Sequence, residues 1–247
     1  MSNNYIFQIS NEIEVWKSKI HKKNSLFSRS AKQIQNKINN KIPEEYHAKI
    51  SGIIKNFCGA CLSGSKYISN EKLDPNRTLE QSDKLLDEKL SYYKKIAVAE
   101  GAGTGAAGLL IGLADFPLLL GLKLKFMYDI AIIYGYDVNN LKERQFLLHI
   151  FLLTYSSSET KVSLFKKINS WDILTEAERS IDWDTFQKEY RDSIDLIKML
   201  QLVPGIGAAV GAYANYTLLE KLGETSKNCY RIRKLNQNNI INQNANS

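Results

Sequence analysis

Hydrophobic side chains recur along most of this chain at intervals of three and four residues, the spacing of one face of an α-helix. The first such stripe consists of Ile6, Ile9, Ile13, Trp16 and Ile20. A second stripe runs over residues 46–61, after Pro43 and two glutamates that favour a helix start. A third runs over residues 79–93, after Thr78 and Gln81, whose spacing is that of a capping box. No segment alternates polar and apolar residues as a strand does, so the pattern predicts an all-α fold.

Capping residues divide the rest of the chain into further helices. Three more pairs have the spacing of a capping box, namely Asn140 with Glu143, Ser156 with Glu159, and Thr175 with Glu178. Residues 69–77 are predicted to form a loop. One helix is predicted to end at Gly135 or at Asn139-Asn140, and another is predicted to end at Gly223. The last twelve residues are polar and low in complexity, so we expect a disordered tail. The chain is therefore expected to fold as a multi-helix bundle.

Two apolar stretches rich in glycine stand out, at residues 96–122 and 199–219. Glycines four residues apart share one helix face and let another helix approach closely, so the two stretches are expected to pack together. The expected helix-packing residues are Gly101, Gly105, Gly108, Gly112, Gly207 and Gly211. Each stretch is long enough to span a bilayer, but Pro117 and Pro204 interrupt them. Two interpretations stay open, namely a buried or shallowly docked helical hairpin and true membrane spans.

The positive charge of the protein is concentrated near its N-terminus. The net charge is +7, whereas residues 17–41 alone carry eight basic residues and no acid. Apolar residues lie among these basic residues, and that mixture is typical of a helix on anionic lipid. The expected membrane-binding residues are Trp16, Lys17, Lys19, Lys22, Lys23, Phe27, Arg29 and Lys32. Nucleic-acid binding is a less favoured alternative, because no groove-fitting motif accompanies the basic residues.

The common catalytic and metal-binding motifs are absent from the sequence. There is no G-x-S-x-G and no H-E-x-x-H, and the G-x-G-x-x-G at residues 103–108 follows a helical pattern rather than a strand. Cys58 and Cys61 form a C-x-x-C, but no second such pair exists to complete a zinc site. His149 lies in an apolar run and is expected to be a hydrogen-bonded core residue. The sequence therefore predicts no metal site and no cofactor.

Acidic and amide side chains within or beside the apolar stretches are where any hidden chemistry is expected. If Glu100, Asp115 and Asp137 shared one pocket, mutual repulsion would raise a carboxyl pKa and create a candidate acid–base group. The competing interpretation is that these carboxylates cap helices and form ordinary pairs. Asp129 and Asn215 must likewise find hydrogen-bond partners if they are buried. The first interpretation predicts a hydrolase-like enzyme that acts on lipid or peptide, with those three carboxylates as candidate catalytic residues.

Two segments resemble the EcsC family in the order and spacing of their residues. The first runs from Glu100-Gly101-Ala102-Gly103-Thr104-Gly105 through Asp115-Phe116-Pro117 to Tyr134-Gly135-Tyr136-Asp137. The second runs from Val203-Pro204-Gly205-Ile206-Gly207 through Asn215-Tyr216 and Gly223-Glu224-Thr225 to Tyr230-Arg231-Ile232-Arg233. The resemblance covers residues 42–235 and implies a helical protein that is cytoplasmic or membrane-associated. It also implies a link to bacterial ABC transporters, because the family is named after a protein encoded beside one. It implies no catalytic residue.

These features together predict three parts, namely a basic amphipathic helical segment over residues 1–41, an EcsC-like helical domain over 42–235 and a disordered tail over 236–247. The first residues lack the apolar core of a signal peptide, which favours a cytoplasmic location. We expect a non-enzymatic accessory protein attached peripherally to the inner face of the membrane. The expected partner is an anionic membrane surface, with an ABC transporter or another membrane protein as a further candidate. Nucleic acid is not an expected partner.

Overall fold

The structure is a computed structural model that describes residues 3–21, 44–64, 69, 71–105, 116–191 and 207–245. Its helices in chain order are α1 (Asn3–His21), α2 (Glu44–Ser63), α3 (Leu79–Gly105), α4 (Phe116–Ile133), α5 (Leu141–Tyr155), α6 (Ser158–Asn169), α7 (residues 183–191) and α8 (Gly207–Ala245). A single 3₁₀ turn, Trp171–Ile173, follows α6. No strand occurs within these ranges, and the all-α prediction is confirmed.

Helices α3 and α8 form the most extensive helix–helix contact of the bundle, and they run antiparallel. Three polar contacts mark their register, namely Ala97 O with Asn215 Nδ2, Lys94 with Glu220, and Asp87 with Lys227. Residues later in α3 therefore contact residues earlier in α8. The last turn of α3 and the first turn of α8 consequently lie at the same end of the bundle.

Three other helix pairs are antiparallel for the same reason. In each pair, two contacts at different heights along the helices fix the relative direction. Glu12–Arg231 and Lys19–Glu224 join α1 to α8. Ser82–Ile133 and Tyr93–Asp129 join α3 to α4, and Phe57–Phe151 and Leu62–Arg144 join α2 to α5. Helix ends are thus gathered at two opposite ends of the molecule, and the loops between them are brought together there.

Helix α4 lies at the centre of the core, because its sequence is apolar around most of its circumference. The two charged residues buried in it are both partnered. Asp129 accepts hydrogen bonds from Ser69 Oγ at 2.5 Å and Tyr93 OH at 2.7 Å. The Lys123 ammonium lies 3.3 Å from Tyr190 OH and over the Tyr155 ring. The expectation that buried Asp129 finds partners is confirmed, as it is for Asn215, which donates to Ala97 O.

The predicted capping boxes have different outcomes in the structure. Thr78 and Gln81 form the reciprocal capping box at the start of α3, with N···O distances of 2.9 and 3.2 Å. The prediction for Ser156 is wrong, because α6 is preceded by Ser157, whose Oγ donates to Glu189. Asn140 does cap α5, but it accepts from Lys142 N, while the Glu143 carboxylate is bound elsewhere.

The last predicted capping box forms without a helix. Thr175 N donates to the Glu178 carboxylate at 2.7 Å, and Glu178 N donates to Thr175 Oγ1 at 3.4 Å. The residues that follow form only a turn, over 176–179. The local hydrogen bonds of a capping box are therefore present, but no helix is propagated from them.

Gly135 and Gly223 have different roles. Gly135 follows the end of α4 with φ +81°, a conformation that favours glycine, so the predicted helix stop is confirmed. Gly223 was predicted to end a helix as well, and that is wrong, because it lies inside α8. A Cβ atom at Gly223 would lie 2.7 Å from Leu90 Cδ2, so this glycine lets α3 approach α8.

The boundaries predicted for the N-terminal segment and the tail also change. Helix α1 packs into the common core, with Ile9, Ile13 and Trp16 buried together with residues of the other helices. Helix α8 continues to Ala245, into the segment for which the sequence predicts a disordered tail. Asn236 donates to Asn169 O and Gln237 donates to Asp172, so the start of the predicted tail is held on the bundle.

Membrane spans were left open for the two glycine-rich stretches. Among the helices described, none combines the length and the apolar character needed to cross a bilayer. Residues 106–115 and 199–206 lie outside the described part of the chain.

Candidate functional site at one end of the bundle

The two glycine-rich stretches leave and rejoin the described structure at the same end of the bundle. Gly105 ends α3 and Gly207 begins α8, and these helices are antiparallel. Phe116 begins α4, which is antiparallel to α3, and its ring stacks on Tyr190 of α7 at 6.4 Å. This end of the bundle, defined by Gly105, Phe116, residue 191 and Gly207, is named the glycine end.

The helix ends that flank the basic segment point in the same direction. Because α1 is antiparallel to α8, its last residue, His21, is directed toward the glycine end. Helix α2 begins at Glu44 and is antiparallel to α5, whose last residue, Tyr155, donates to Leu218 O of α8. The chain between α1 and α2 therefore connects two helix ends that are directed toward the glycine end.

Exposed apolar and aromatic side chains lie at the glycine end. Tyr213 is 72% exposed, Leu118 is 57% exposed and Tyr216 is 38% exposed. The Lys94 ammonium lies 3.9 Å from the centre of the Tyr216 ring. Tyrosines beside lysines are frequent where a protein meets the lipid headgroup region. Sequence reasoning missed these residues, although Tyr213 and Tyr216 directly follow the glycine pair of α8 at helical spacing.

The predicted membrane-binding residues of α1 are divided between core and surface. Trp16 is only 6% exposed and packs edge-on against Phe165 of α6, so its ring is held in the core and is not available to lipid. Its position follows from the apolar stripe, which faces the bundle along the whole of α1. Lys17 pairs with Glu14, and exposed Lys19 lies 3.4 Å from Glu224. The other five predicted residues lie outside the described part of the chain, namely Lys22, Lys23, Phe27, Arg29 and Lys32.

The three candidate catalytic carboxylates are not brought into a described pocket. Asp137 is exposed in the turn after α4, where it accepts hydrogen bonds from Asn139 N and Nδ2, both at 2.9 Å. Glu100 lies in the last turns of α3, and Asp115 lies outside the described residues.

The predicted packing glycines lie at helix ends or outside the described residues. Gly101 and Gly105 are in the last turns of α3, and Gly207 and Gly211 are in the first turns of α8. Gly108 and Gly112 lie outside the described residues. Within the described ranges, no three His, Cys, Asp or Glu side chains are grouped as metal ligands.

A buried ion-pair network lies toward the other end of α8 and is centred on Arg231. Arg231 Nε donates to Asp83 at 2.7 Å, and Arg231 Nη1 donates to Glu12 at 2.7 Å. Asp83 also accepts from the hydroxyl groups of Tyr5 and Tyr134. Burial and the neighbouring carboxylate raise the pKa of both tyrosines, which therefore stay protonated and donate. The network joins α1, α3 and α8 to the turn that follows α4.

A second network is centred on Arg233, two residues further along α8. Its guanidinium donates to Glu143 of α5 and to Asp172 of the 3₁₀ turn, and it lies 4.1 Å from the centre of the Tyr136 ring. Burial alone would raise the pKa of Asp172, but hydrogen bonds from Arg233 and Lys142 lower it below its ordinary value. Arg231 and Arg233, which belong to the second segment that resembles the EcsC family, are therefore interior residues.

Three further residues singled out by the sequence, namely Cys58, Cys61 and His149, are buried. Cys61 is buried, burial raises its pKa to about 12, and Cys58 is buried beside it with a raised pKa. Such thiols are poor nucleophiles at neutral pH. His149 is buried on α5, where its Nδ1 lies 2.9 Å from Gln145 O. Its interpretation as a hydrogen-bonded core histidine is confirmed.

Comparison with known proteins identifies relatives across nearly the whole chain. Residues 8–235 match the model of the EcsC protein family. The chain is 43% identical to Protein EcsC of Bacillus subtilis (strain 168) over 222 residues, which cover 90% of this chain and 93% of that protein. It is 28% identical over 216 residues to the uncharacterized protein YdbA of the same organism, covering 78% of this chain and 79% of that one. No solved structure matches the chain. The family match begins inside α1, so the region shared with the family is longer than the predicted 42–235.

Proposed function

Because the chain belongs to the EcsC family, we propose that it is a non-enzymatic accessory protein that attaches peripherally to the cytoplasmic face of an anionic membrane. In this proposal the basic segment that begins at Lys17 supplies electrostatic attraction. The apolar residues of the glycine end supply shallow burial among the headgroups. Stable but reversible attachment generally needs two such signals together.

One observation carries the proposal. The helix ends that flank residues 22–43, 106–115 and 192–206 are all directed toward the glycine end, where Leu118 and Tyr213 are exposed. The first of these stretches is rich in lysine and arginine, the second contains one charged residue, Asp115, and the third has no charged residue after Lys198. A basic stretch and two apolar stretches whose flanking helices point toward one end of a helical bundle are the combination expected of a protein that docks end-on to lipid.

The energetics of such attachment are sufficient. Each basic residue near an anionic surface contributes about 1 kcal/mol, so the six basic residues over 22–41 supply binding that salt weakens strongly. The buried networks support a structural role for the segment Tyr230-Arg231-Ile232-Arg233, because both of its arginines form ion pairs inside the protein. Among the described residues, no group of side chains supports a catalytic role.

Flotation of the purified protein with liposomes tests the proposal. We expect flotation with phosphatidylglycerol-containing vesicles and none with neutral phosphatidylcholine vesicles. Flotation is expected to fall as salt rises from 0.1 M to about 1 M, because the screening length drops from about 10 to about 3 Å. The quadruple variant Lys22→Glu, Lys23→Glu, Arg29→Glu, Lys32→Glu is expected to lose flotation.

A matched control separates the basic segment from net charge alone. The variant Lys72→Glu, Lys84→Glu, Lys166→Glu, Lys188→Glu makes the same charge change at exposed positions of the described surface. It is expected to float like the unaltered protein. Equal loss in both variants would reject the basic segment as the attachment site. Absence of flotation with every vesicle, combined with binding to native bacterial membranes, would instead favour a membrane protein such as an ABC transporter as the partner.

A further inference from the structure

A cavity of about 160 Å³ lies between α5, α6 and the start of α7, and its lining residues belong neither to the two arginine networks nor to the exposed residues of the glycine end. Its lining includes His149, Lys167, Ser180 and Asp182, together with the apolar side chains of Leu152, Leu164 and Ile181. A protein cavity of about 150 Å³ accommodates a benzene molecule. The size of this cavity therefore suits a small organic molecule.

His149 presents an unpaired hydrogen-bond acceptor in this lining. The side chain is 2% exposed, and its Nδ1 lies 2.9 Å from the carbonyl oxygen of Gln145. A carbonyl oxygen only accepts, so the proton of the neutral ring is on Nδ1 and the lone pair is on Nε2. Burial lowers the pKa of the imidazole to about 4, which keeps the ring neutral at pH 7. No described residue donates to Nε2.

Three of the four hydroxyl groups that line the cavity, those of Thr160, Ser163 and Thr185, are also arranged as acceptors. Ser163 Oγ donates its proton to Thr160 O at 2.9 Å, and Thr185 Oγ1 donates to Asp182 at 2.6 Å. Thr160 Oγ1 donates to Glu189. With their protons engaged internally, these oxygens have only lone pairs left for an occupant. A ligand that fits such a lining must bring several hydrogen-bond donors of its own.

The charges of the lining favour a neutral occupant. Lys167 and Asp182 carry opposite charges, and the Lys167 ammonium already donates to Glu178 O at 3.0 Å. An anion would be opposed by Asp182 and by the lone pairs of His149 and the hydroxyls. An ammonium group would be opposed by Lys167. The leucine and isoleucine side chains suit carbon atoms between the polar groups.

We propose that this cavity binds a small neutral polyol, one of whose hydroxyl groups donates a hydrogen bond to His149 Nε2. A polyol of this size supplies several O–H donors, no net charge and a carbon backbone that packs on Leu152 and Leu164. The proposal does not depend on membrane attachment, because its residues lie on different elements from the exposed residues of the glycine end.

Ligand-observed saturation-transfer NMR with glycerol, erythritol and xylitol tests the proposal on the full chain. The control ligand is 1,2-dimethoxyethane, which is similar in size to glycerol and has no O–H donor. We expect saturation transfer to at least one polyol and none to the diether. In uniformly ¹⁵N-labelled protein, that polyol is expected to shift the Nε2 resonance of His149 while leaving Nδ1 nearly unchanged.

Two substitutions of His149 separate recognition from packing. His149→Phe keeps an aromatic ring but removes the acceptor, and we expect polyol binding to weaken at least tenfold. His149→Gln restores a side-chain acceptor and is expected to recover part of the affinity. Melting temperature is a poor readout here, because polyols stabilise folded proteins nonspecifically by exclusion from the surface. The proposal is overturned if no polyol gives transfer or an Nε2 shift in the unaltered protein, which would leave a cavity for water alone. Equal binding by the diether, or unchanged binding by a folded His149→Phe variant, would also overturn it.

Discussion

Leu90 of α3 occupies the space that a side chain at Gly223 of α8 would need. A Cβ atom built on Gly223 lies 2.7 Å from Leu90 Cδ2 and 2.9 Å from Leu90 Cδ1. The close approach of the two longest helices therefore depends on a glycine in the middle of α8. That dependence distinguishes Gly223 from glycines that only interrupt a helix.

Gly223→Ala is expected to lower the free energy of unfolding by about 1–3 kcal/mol, because overpacking at this contact forces Leu90 or the helices to move. Gly59→Ala in α2 is the matched control. A Cβ atom at Gly59 has no neighbour within 4 Å, so alanine there is expected to raise stability by up to about 1 kcal/mol. Urea unfolding of both variants measures the two effects. Equal effects of the same sign would contradict the packing role of Gly223.

Removing Arg231 is expected to be among the most damaging single changes outside the apolar core. Arg231→Ala leaves the buried carboxylate of Asp83 without its cation, and the expected loss is about 3–5 kcal/mol. Glu14→Ala breaks only the exposed pair with Lys17 and is expected to change stability by less than about 0.5 kcal/mol. Chemical denaturation monitored by circular dichroism compares them. A loss below about 1 kcal/mol in Arg231→Ala would show that the network is not needed for stability.

His149 is expected to make stability depend on pH between about 6.5 and about 4. Its pKa is lowered in the folded state, so the unfolded chain binds more protons in that window, and stability falls as the pH falls. The expected loss from this group is on the order of 3 kcal/mol across the window. Asp172 titrates lower, because its folded pKa lies below the ordinary value of about 4, so its contribution is lost only in more acidic solution.

Urea unfolding at intervals from pH 7.5 to pH 4.5 measures the contribution of His149. The variant His149→Phe should show a flatter pH dependence than the unaltered protein over this range, whatever its stability at pH 7.5. Parallel curves for the two proteins would mean that the imidazole does not become charged on unfolding.

The three cysteines are expected to resist thiol reagents in the folded protein. Cys58, Cys61 and Cys229 are all buried, and burial raises the pKa of each thiol. We expect almost no reaction with Ellman's reagent under native conditions and release of three equivalents after unfolding in guanidinium chloride. Rapid native labelling of Cys58 or Cys61 would reopen a redox role for the C-x-x-C.

Exposed residues of the glycine end are expected to contribute to membrane attachment. The double variant Leu118→Glu, Tyr213→Glu should reduce flotation on anionic vesicles, because both changes remove apolar surface and add negative charge where lipid is proposed to lie. Ile173→Glu, Leu141→Glu makes the same number of changes at exposed positions beside the Arg233 network. That control is expected to float normally. An equal loss in the two double variants would argue against end-on docking.

Features governed by neighbours in sequence could be predicted well. The apolar stripe of α1, the capping box at Thr78, the glycine stop at Gly135 and the absence of strands in the described ranges all follow from the preferences of a few adjacent residues. The locations of Cys61 and His149 in the core were predictable for the same reason, since each lies within a periodic apolar run.

Features governed by distant partners could not be predicted from the pattern alone. Arg231 and Arg233 look like the basic face of a surface helix, and only the approach of Asp83, Glu143 and Asp172 makes their burial favourable. Trp16 looks like an interfacial aromatic residue, but Phe165 holds it in the core. The exposed Tyr213 and the cavity at His149 are likewise defined by which helices pack together.

The sequence by itself determined the helical class, most helix positions and family membership, because helix periodicity, capping and motif order are local properties of a chain. The tertiary structure alone decided which charges are interior, why Gly223 is a glycine, and that the basic and glycine-rich stretches adjoin helix ends directed to one end of the bundle. These properties depend on the antiparallel register of α3, α8 and α1, which is set by contacts between residues more than a hundred positions apart.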